Sequence, residues 1–135
     1  MDVQPRILVV DDEEMLLRSI EKTLFRAGYD VETAANNVTA YESVLAALRT
    51  GKVFDLIIVD LNMPNFEGRD SKYAGLQLLE RLKTEIPHTP IMVNSAWDEV
   101  ETAKLCIEAG AADYFVKGRL TDMLEKIRAV LDISG

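Results

Sequence analysis

The amino-acid sequence predicts a doubly wound α/β domain built on a five-stranded parallel sheet. Short apolar runs rich in β-branched residues alternate five times with stretches at helical spacing, and the connections are short enough for right-handed crossovers. Apolar runs without alternation are typical of strands that are buried on both faces. The predicted strand order is 2-1-3-4-5, as in a flavodoxin-like (βα)5 fold.

The first half of the chain provides three predicted strands, at residues 6–10, 31–34 and 56–59. The first helix is predicted from apolar residues that share one face, namely Leu16, Leu17, Ile20 and Leu24. Gly28 is expected to end this helix. Asn37 is expected to cap a second helix that ends near residues 50–51. The residues expected to point inward from this helix are Tyr41, Val44, Leu45 and Leu48.

The second half provides two more strands, predicted at residues 90–93 and 114–116. A third helix is predicted to end before Pro87, and its apolar residues are Leu76, Leu78, Leu79, Leu82 and Ile86. Gly110 is expected to close a fourth helix, which contains Val100, Ala103, Leu105, Ile107 and Ala109. The last helix is predicted over residues 120–131.

Length and charge limit the classes of function. The 135 residues fit one domain, predicted to span residues 1–135, and 48% apolar with 28% charged residues is ordinary for a globular protein. The formal charge of −8 argues against direct nucleic-acid binding by this domain, because neutralising phosphates requires a basic face. Cys106 is the single cysteine, and no apolar run approaches membrane-spanning length. A cytoplasmic location is the default expectation.

Three aspartates are placed at the ends of predicted strands. Asp11 and Asp12 follow the first strand, and Asp60 follows the third. The carboxyl ends of parallel strands meet at one edge of the sheet, and the first and third strands flank the topological switch point where ligands bind. A single aspartate there is more often a helix cap, but three together repel one another unless a cation neutralises them. Oxygen ligands of this kind suit Mg²⁺.

Two further strand ends contribute polar groups to the same edge. Ser95 follows the fourth strand and Lys117 follows the fifth. A phosphoryl group presents three anionic oxygens, for which Mg²⁺, a hydroxyl and an ammonium are suitable partners. Asp60 beside Mg²⁺ could then act as the nucleophile and form an aspartyl phosphate.

Four segments of the chain resemble the response-regulator receiver domain, the phosphoacceptor module of two-component signalling, of which the chemotaxis regulators are one type. The resemblance covers essentially the whole chain. The segments are residues 7–13 (ILVVDDE), 60–68 (DLNMPNFEG), 95–96 (SA) and 108–117 (EAGAADYFVK).

The resemblance implies a role for each residue at the acidic end of the site. Asp60 matches the phosphorylated aspartate. Asp11 and Asp12 match the acidic pair that holds Mg²⁺, with Asp12 the direct ligand and Asp11 acting through water. The backbone carbonyl of Asn62 matches the remaining protein ligand. Phosphotransfer and autodephosphorylation would be the only reactions that the domain catalyses, so it is not expected to be an enzyme acting on outside substrates.

The resemblance also implies a switch. Ser95 matches the hydroxyl residue that turns toward the phosphoryl group, Lys117 the lysine that pairs with it, and Tyr114 the aromatic residue that rotates inward on activation. The implied phosphodonor is a sensor histidine kinase or a phosphotransfer protein. The surface formed by helix 4, strand 5 and helix 5 is the implied contact for an output partner or for a homodimer, and no membrane is implied.

Two features depart from the family pattern, and the position of Trp97 is a further point of interest. Gly118 stands where most receivers have proline after a cis bond, and a trans Lys117–Gly118 bond is predicted because a cis bond to a non-proline residue costs about 2.5–4 kcal/mol. Residues 69–75 form an insertion, interpreted either as a tolerated surface loop or as a segment overhanging the site. Trp97 is placed where a bulky ring could hinder attacking water, or could be an ordinary loop aromatic.

Three other functions fit the sequence less well. The main one is a pseudo-receiver that docks without being phosphorylated. An Mg²⁺-dependent phosphatase would need an acid two residues after its nucleophile, and that position is Asn62. A flavin carrier of the same topology would need a phosphate-binding loop after the first strand, which the sequence lacks.

Overall fold

The computed structural model describes residues 4–61, 74–96 and 100–134, in which five strands alternate with five helices. The strands are β1 (Arg6–Val10), β2 (Asp30–Ala34), β3 (Leu56–Asp60), β4 (Ile91–Ser95) and β5 (Asp113–Val116). The helices are α1 (Glu14–Arg26), α2 (Asn37–Thr50), α3 (Ala74–Glu85), α4 (Val100–Glu108) and α5 (Leu120–Ser134).

The strands form one parallel sheet in the order β2-β1-β3-β4-β5. This confirms the predicted fold class and strand order. The predicted strands agree with the observed ones to within two residues, and the largest difference is that β4 continues to Ser95. Among the helices in the described ranges, not one combines the length and apolarity that crossing a bilayer requires.

Two apolar cores lie on opposite faces of the sheet, because successive side chains of a strand point to opposite faces. Leu8 and Val10 of β1 pack into the core with α2, α3 and α4, whereas Ile7 and Val9 pack into the core with α1 and α5. The helical residues buried in the first core include Ala40, Val44, Leu78, Leu79, Leu82 and Cys106. Those buried in the second include Leu17, Ile20, Leu24, Met123, Ile127 and Val130.

The inward face of α2 differs from the prediction. Val44 is buried as expected, but Leu45 and Leu48 are 37% and 42% exposed. The small residues Ala40 and Ala47 are buried in their place. At 100° per residue, only one phase of the helix can face the sheet, and the packed side of α2 consists of alanines around Val44. The larger side chains therefore suggested the wrong phase.

The start of α2 also differs from the prediction. The capping residue is Asn36, one residue before the predicted Asn37, and its side chain accepts a hydrogen bond from the Thr39 backbone N–H at 2.8 Å. Asn36 has an extended backbone, as a capping residue requires, whereas Asn37 is already the first residue of the helix. Two adjacent asparagines offered the same capping group, and the backbone conformation selects the first.

Gly118 has a conformation that favours glycine. The described ranges contain no cis peptide bond, so the Lys117–Gly118 bond is trans, as predicted. The φ angle of Gly118 is +89°, in the left-handed region. Proline, with φ fixed near −65°, cannot adopt this conformation. The backbone after β5 therefore has a conformation that proline, the residue that the family pattern has at this position, cannot adopt.

Gly118→Ala is expected to lower the free energy of unfolding by about 1–2 kcal/mol, the cost of a left-handed backbone for an ordinary L-residue. A Cβ at this position meets no atom of the described chain within 4 Å, so the cost is conformational and not steric. Gly118→Asn should cost less, because asparagine tolerates this region better. Urea unfolding of the three proteins measures the difference, and equal stability of the Ala and Asn variants would contradict the interpretation.

Candidate functional site

Three aspartates meet at the carboxyl edge of the sheet. Asp60 is the last residue of β3 and is fully buried, Asp11 follows β1 and is 1% exposed, and Asp12 is exposed. Each offers a carboxylate oxygen, and these oxygens lie within 4.8 Å of one another. The pairing of β1 with β3, in which Val10 faces Val59, brings the two strand ends to the same level. The expected cluster is therefore present.

Lys117 lies among these carboxylates. Its Nζ is 3.0 Å from Asp60 Oδ2, 3.1 Å from Glu13 Oε1 and 3.6 Å from Asp11 Oδ2. The first two contacts are hydrogen bonds, whereas the third is an ion pair beyond hydrogen-bond length. The Lys117 side chain is only 11% exposed and those of Asp11 and Asp60 are 1% and 0% exposed, so the two aspartate contacts are poorly screened by solvent. One ammonium thus links three acidic side chains.

Backbone hydrogen bonds fix the strand ends that carry these groups. The Asp11 N–H donates to Ala34 O at 3.1 Å, and the Leu61 N–H donates to Asn94 O at 2.9 Å. The Lys117 N–H donates to Ser95 O at 2.8 Å. Each bond extends the strand pairing just past the last strand residue. The backbone at Asp11, Asp60 and Lys117 is therefore held by the hydrogen-bonded end of the sheet.

Burial and the charge of the opposite partner act in opposite directions on the pKa values of Asp11 and Lys117. Burial raises the pKa of Asp11 above its usual 3.8, although the hydrogen bond from the Glu13 N–H and the charge of Lys117 act to lower it. For Lys117, burial acts to lower the pKa, but the attraction and hydrogen bond of Asp60, with smaller contributions from Asp11 and Glu13, outweigh it. The pKa of Lys117 is therefore raised. Lys117 is held as the charged ammonium.

The cluster has the properties of a cation site. Asp11 Oδ1 accepts the Glu13 N–H at 2.8 Å, but Oδ2 is buried and accepts no hydrogen bond in the described part of the chain. With Glu13 and Asp12 included, four carboxylates face one ammonium, a formal surplus of three negative charges. A hard divalent cation would satisfy the orphaned oxygen and offset the surplus. The donor set of Asp11, Asp12 and Asp60 fits Mg²⁺.

The remaining predicted residues are placed as follows. Ser95 ends β4, next to the strand of Asp60, and is fully buried. Tyr114 in β5 is 8% exposed and belongs to the core with α2, α3 and α4, so its ring is already buried in this conformation. Asn62, with its predicted ligand carbonyl, and Trp97 lie outside the described residues. Residues 69–73 of the predicted insertion also lie outside the described residues, whereas residues 74 and 75 of the insertion begin α3.

Two residues of the site were not singled out from the sequence. Glu13 accepts a hydrogen bond from Lys117, although its own side chain is 62% exposed. Asn94 pairs with Asp60 across the sheet and is buried. A polar residue just after an apolar run is usually the start of a loop, so the only available signal for Asn94 was its position next to the strand of Asp60.

Comparison with known proteins gives one consistent result. The family model described as response regulator receiver domain matches residues 7–128. The chain is 37% identical over 123 residues to the alginate biosynthesis transcriptional regulatory protein AlgB of Pseudomonas putida, which covers 91% of this chain and 25% of that protein. It is 33% identical over 128 residues to the transcriptional regulatory protein PrrA of Mycobacterium bovis, 94% of this chain and 50% of that protein. The chain thus spans a quarter to a half of these curated relatives.

Solved structures agree with this. A response regulator receiver domain protein (CheY-like) from Methanospirillum hungatei superposes with a TM-score of 0.78 at 28% identity, over 98% of this chain and 97% of that one. A response regulator from Thermotoga maritima gives a TM-score of 0.77 at 30% identity, over 96% and 99%. The similarity therefore extends over nearly the whole chain in both sequence and fold.

Asp11→Asn is expected to raise the free energy of unfolding at pH 7, without divalent cations, by about 1–2 kcal/mol. The reason is that the charged carboxylate is buried with an oxygen that accepts no hydrogen bond from the described ranges. The folded-state pKa of Asp11 lies above the unfolded value, so its favourable contribution is present below 3.8 and is lost as pH rises through the folded pKa. The gain from the substitution should therefore shrink as pH is lowered.

Urea unfolding across a pH series, with Asp12→Asn as the matched control, measures this effect. Asp12 is exposed, so its substitution should change the stability by less than about 0.5 kcal/mol. A loss of stability in Asp11→Asn at pH 7 would show that the attraction of Lys117 outweighs burial.

Proposed function

The chain belongs to the response regulator receiver domain family, and on this premise we propose that it accepts a phosphoryl group on Asp60 and acts as a switch in two-component signalling. The single observation that carries the proposal is the fully buried Asp60 carboxylate, held 3.0 Å from the Lys117 ammonium beside the acidic pair that could bind Mg²⁺. We propose one such receiver domain over residues 1–135, of which the family match covers 7–128.

The proposed reaction is transfer from a phosphohistidine of a sensor kinase or phosphotransfer protein. An oxygen of Asp60 attacks phosphorus, the O–P bond forms as the donor's P–N bond breaks, and the imidazole keeps the electron pair and takes up a proton. Asp11, Asp12 and Asp60 would hold Mg²⁺, with the Asn62 carbonyl as a further ligand. The bound ion would neutralise charge on the transferred group.

Lys117 and Ser95 would complete the charge neutralisation. The Lys117 ammonium already lies against Asp60 and is kept charged, so it can turn to a phosphoryl oxygen with little movement of its nitrogen. Ser95, at the end of the adjacent strand, would supply a hydroxyl donor to another oxygen. Hydrolysis of the aspartyl phosphate would return the domain to its resting state.

The proposed output is a change in the surface formed by α4, β5 and α5. Phosphorylation would replace the Asp60 carboxylate by an acyl phosphate whose phosphoryl group carries roughly −1.5 to −2 charges beside Ser95, biasing an equilibrium that involves Tyr114. The buried ring of Tyr114 would be one state, and a ring turned outward the other. Lys126 of α5 hydrogen-bonds the Tyr114 carbonyl and pairs with Asp113 at 3.7 Å, so a movement of β5 would be passed to α5.

The same surface is a suitable place for an output partner or a second copy of the domain. Three apolar side chains of α4 are exposed, Val100 at 80%, Leu105 at 42% and Ile107 at 49%. The formal charge of −8 opposes direct contact with nucleic acid, so we propose that any effect on transcription passes through another domain or another protein. We propose a cytoplasmic location for the domain.

Mg²⁺ is expected to stabilise the unphosphorylated protein, because it would bind the folded site and not the unfolded chain. At 100 times its dissociation constant the gain should be about 2.7 kcal/mol. Asp12→Asn should weaken this gain strongly while leaving the stability without Mg²⁺ nearly unchanged. Urea unfolding with and without MgCl₂ measures both quantities, and an identical Mg²⁺ response in the variant would remove Asp12 from the ligand set.

Incubation with acetyl phosphate and Mg²⁺ is expected to add one phosphoryl group to the wild-type protein, detected by intact mass. The adduct should need Mg²⁺ and should be absent from Asp60→Asn, which keeps the size of the side chain but removes the nucleophile. Asp132→Asn, at an exposed aspartate of α5, is the control and should be phosphorylated like the wild type. No adduct on the wild type would support the alternative of a docking module that works without phosphorylation.

A further inference from the structure

Asn94 carries a buried amide whose oxygen has no hydrogen-bond donor among the residues that the structure describes. The residue is 1% exposed, and its Oδ1 accepts no hydrogen bond from the described residues. Met92, two residues earlier in β4, and Phe115, its partner in β5, are both apolar and buried. An apolar residue at position 94 would extend that core without leaving a polar atom unsatisfied. We therefore expect the Asn94 oxygen to find a hydrogen-bond donor in another state of the site.

The sheet places Asn94 between Lys117 and Asp60. β4 lies between β3 and β5, and Asn94 pairs with Asp60 on one side and with Phe115 on the other. Ile58, Met92 and Phe115 belong to the core with α1 and α5, so alternation along the strands directs Asp60 and Asn94 to that same face. The Lys117 side chain starts beyond β5 and reaches Asp60 on β3. It must cross the end of β4, where Asn94 is the residue on this face.

We infer that Asn94 is a positioning residue for Lys117, and that its amide oxygen accepts a hydrogen bond from the Lys117 ammonium when Asp60 is phosphorylated. The inference rests on the proposed function of Asp60. It adds no covalent step to the reaction, since the hydrogen bond only orients the ammonium.

The reason is a change in the acceptors available to Lys117. An ammonium has three donors. In the resting site two of them form hydrogen bonds to carboxylates, Asp60 at 3.0 Å and Glu13 at 3.1 Å, and the Asp11 carboxylate lies 3.6 Å away. Phosphorylation turns the Asp60 carboxylate into a mixed anhydride, whose oxygens are weaker acceptors than those of a carboxylate. The ammonium turns to a phosphoryl oxygen, which replaces the lost Asp60 acceptor, and the remaining ammonium donor is then directed to the Asn94 oxygen.

Removing the acceptor is therefore expected to slow phosphorylation of Asp60 without lowering the stability of the resting fold. The sharpest test compares Asn94→Val with Asn94→Thr, which have nearly the same shape but differ by one oxygen. Both are β-branched and suit a strand. Met92→Leu, in the same strand and on the same face, controls for general disturbance of the core.

The measurement is the rate of Mg²⁺-dependent adduct formation from acetyl phosphate, followed by intact mass. Asn94→Val should be slower than wild type by about tenfold, the loss expected for a hydrogen bond to a charged group. Asn94→Thr should stay within about threefold of wild type, and Met92→Leu should match it. In a Lys117→Met background the Val and Thr variants should react equally fast, because the partner of the oxygen is gone.

Three results would overturn the inference. The first is equal rates for Asn94→Val and Asn94→Thr with Lys117 present, and this pair decides the matter even if Lys117→Met gives no adduct. The second is a Val–Thr difference that persists without Lys117. The third is a lower urea stability of cation-free Asn94→Val than of Asn94→Thr, which would mean that the oxygen already has a donor at rest. Failure of the proposed function is distinct, because the wild type itself would then give no adduct that depends on Asp60.

Discussion

The arrangement of the site depends on one ammonium that holds mutually repelling carboxylates at the end of a buried sheet. Asp11 and Asp60 are almost without solvent contact, and two such anions at close range are stable only with an opposite charge beside them. Lys117 supplies that charge from the end of β5, two strands away from β3. The strand order is what makes this possible, since it brings the ends of β1, β3 and β5 to one edge. The burial of Asp11 and Asp60 therefore depends on the position of the Lys117 ammonium.

The incomplete neutralisation is what leaves the site ready for a ligand. Lys117 offsets one of the formal negative charges, and Asp11 keeps an oxygen without a hydrogen bond among the described residues. A fully satisfied cluster would be more stable but would have no affinity for a cation. The raised pKa of Asp11 expresses the same compromise, because the fold holds the carboxylate where its charged form is disfavoured. Under the proposed function, stability of the cation-free fold and affinity for the cation would oppose one another at Asp11.

The sequence indicates the fold and the main acids because both follow from local residue patterns. Continuous β-branched runs can only be buried strands here, and an aspartate directly after such a run must lie at the strand end, as Asp60 does. The phase of α2 was not predictable in the same way, because the helix packs through alanines and exposes Leu45. Glu13 and Asn94 were missed because their roles depend on neighbours distant in sequence, Lys117 being 104 residues from Glu13.

The backbone bond between the Lys117 N–H and the Ser95 carbonyl has a consequence for the timing of the switch. The two residues proposed to contact the phosphoryl group are joined through their main chains, so neither strand end can shift without pulling on the other. A displacement of the Ser95 end of β4 would therefore also displace the Lys117 end of β5. Under the proposed function, the hydroxyl and the ammonium would then approach the phosphoryl group together and not one after the other.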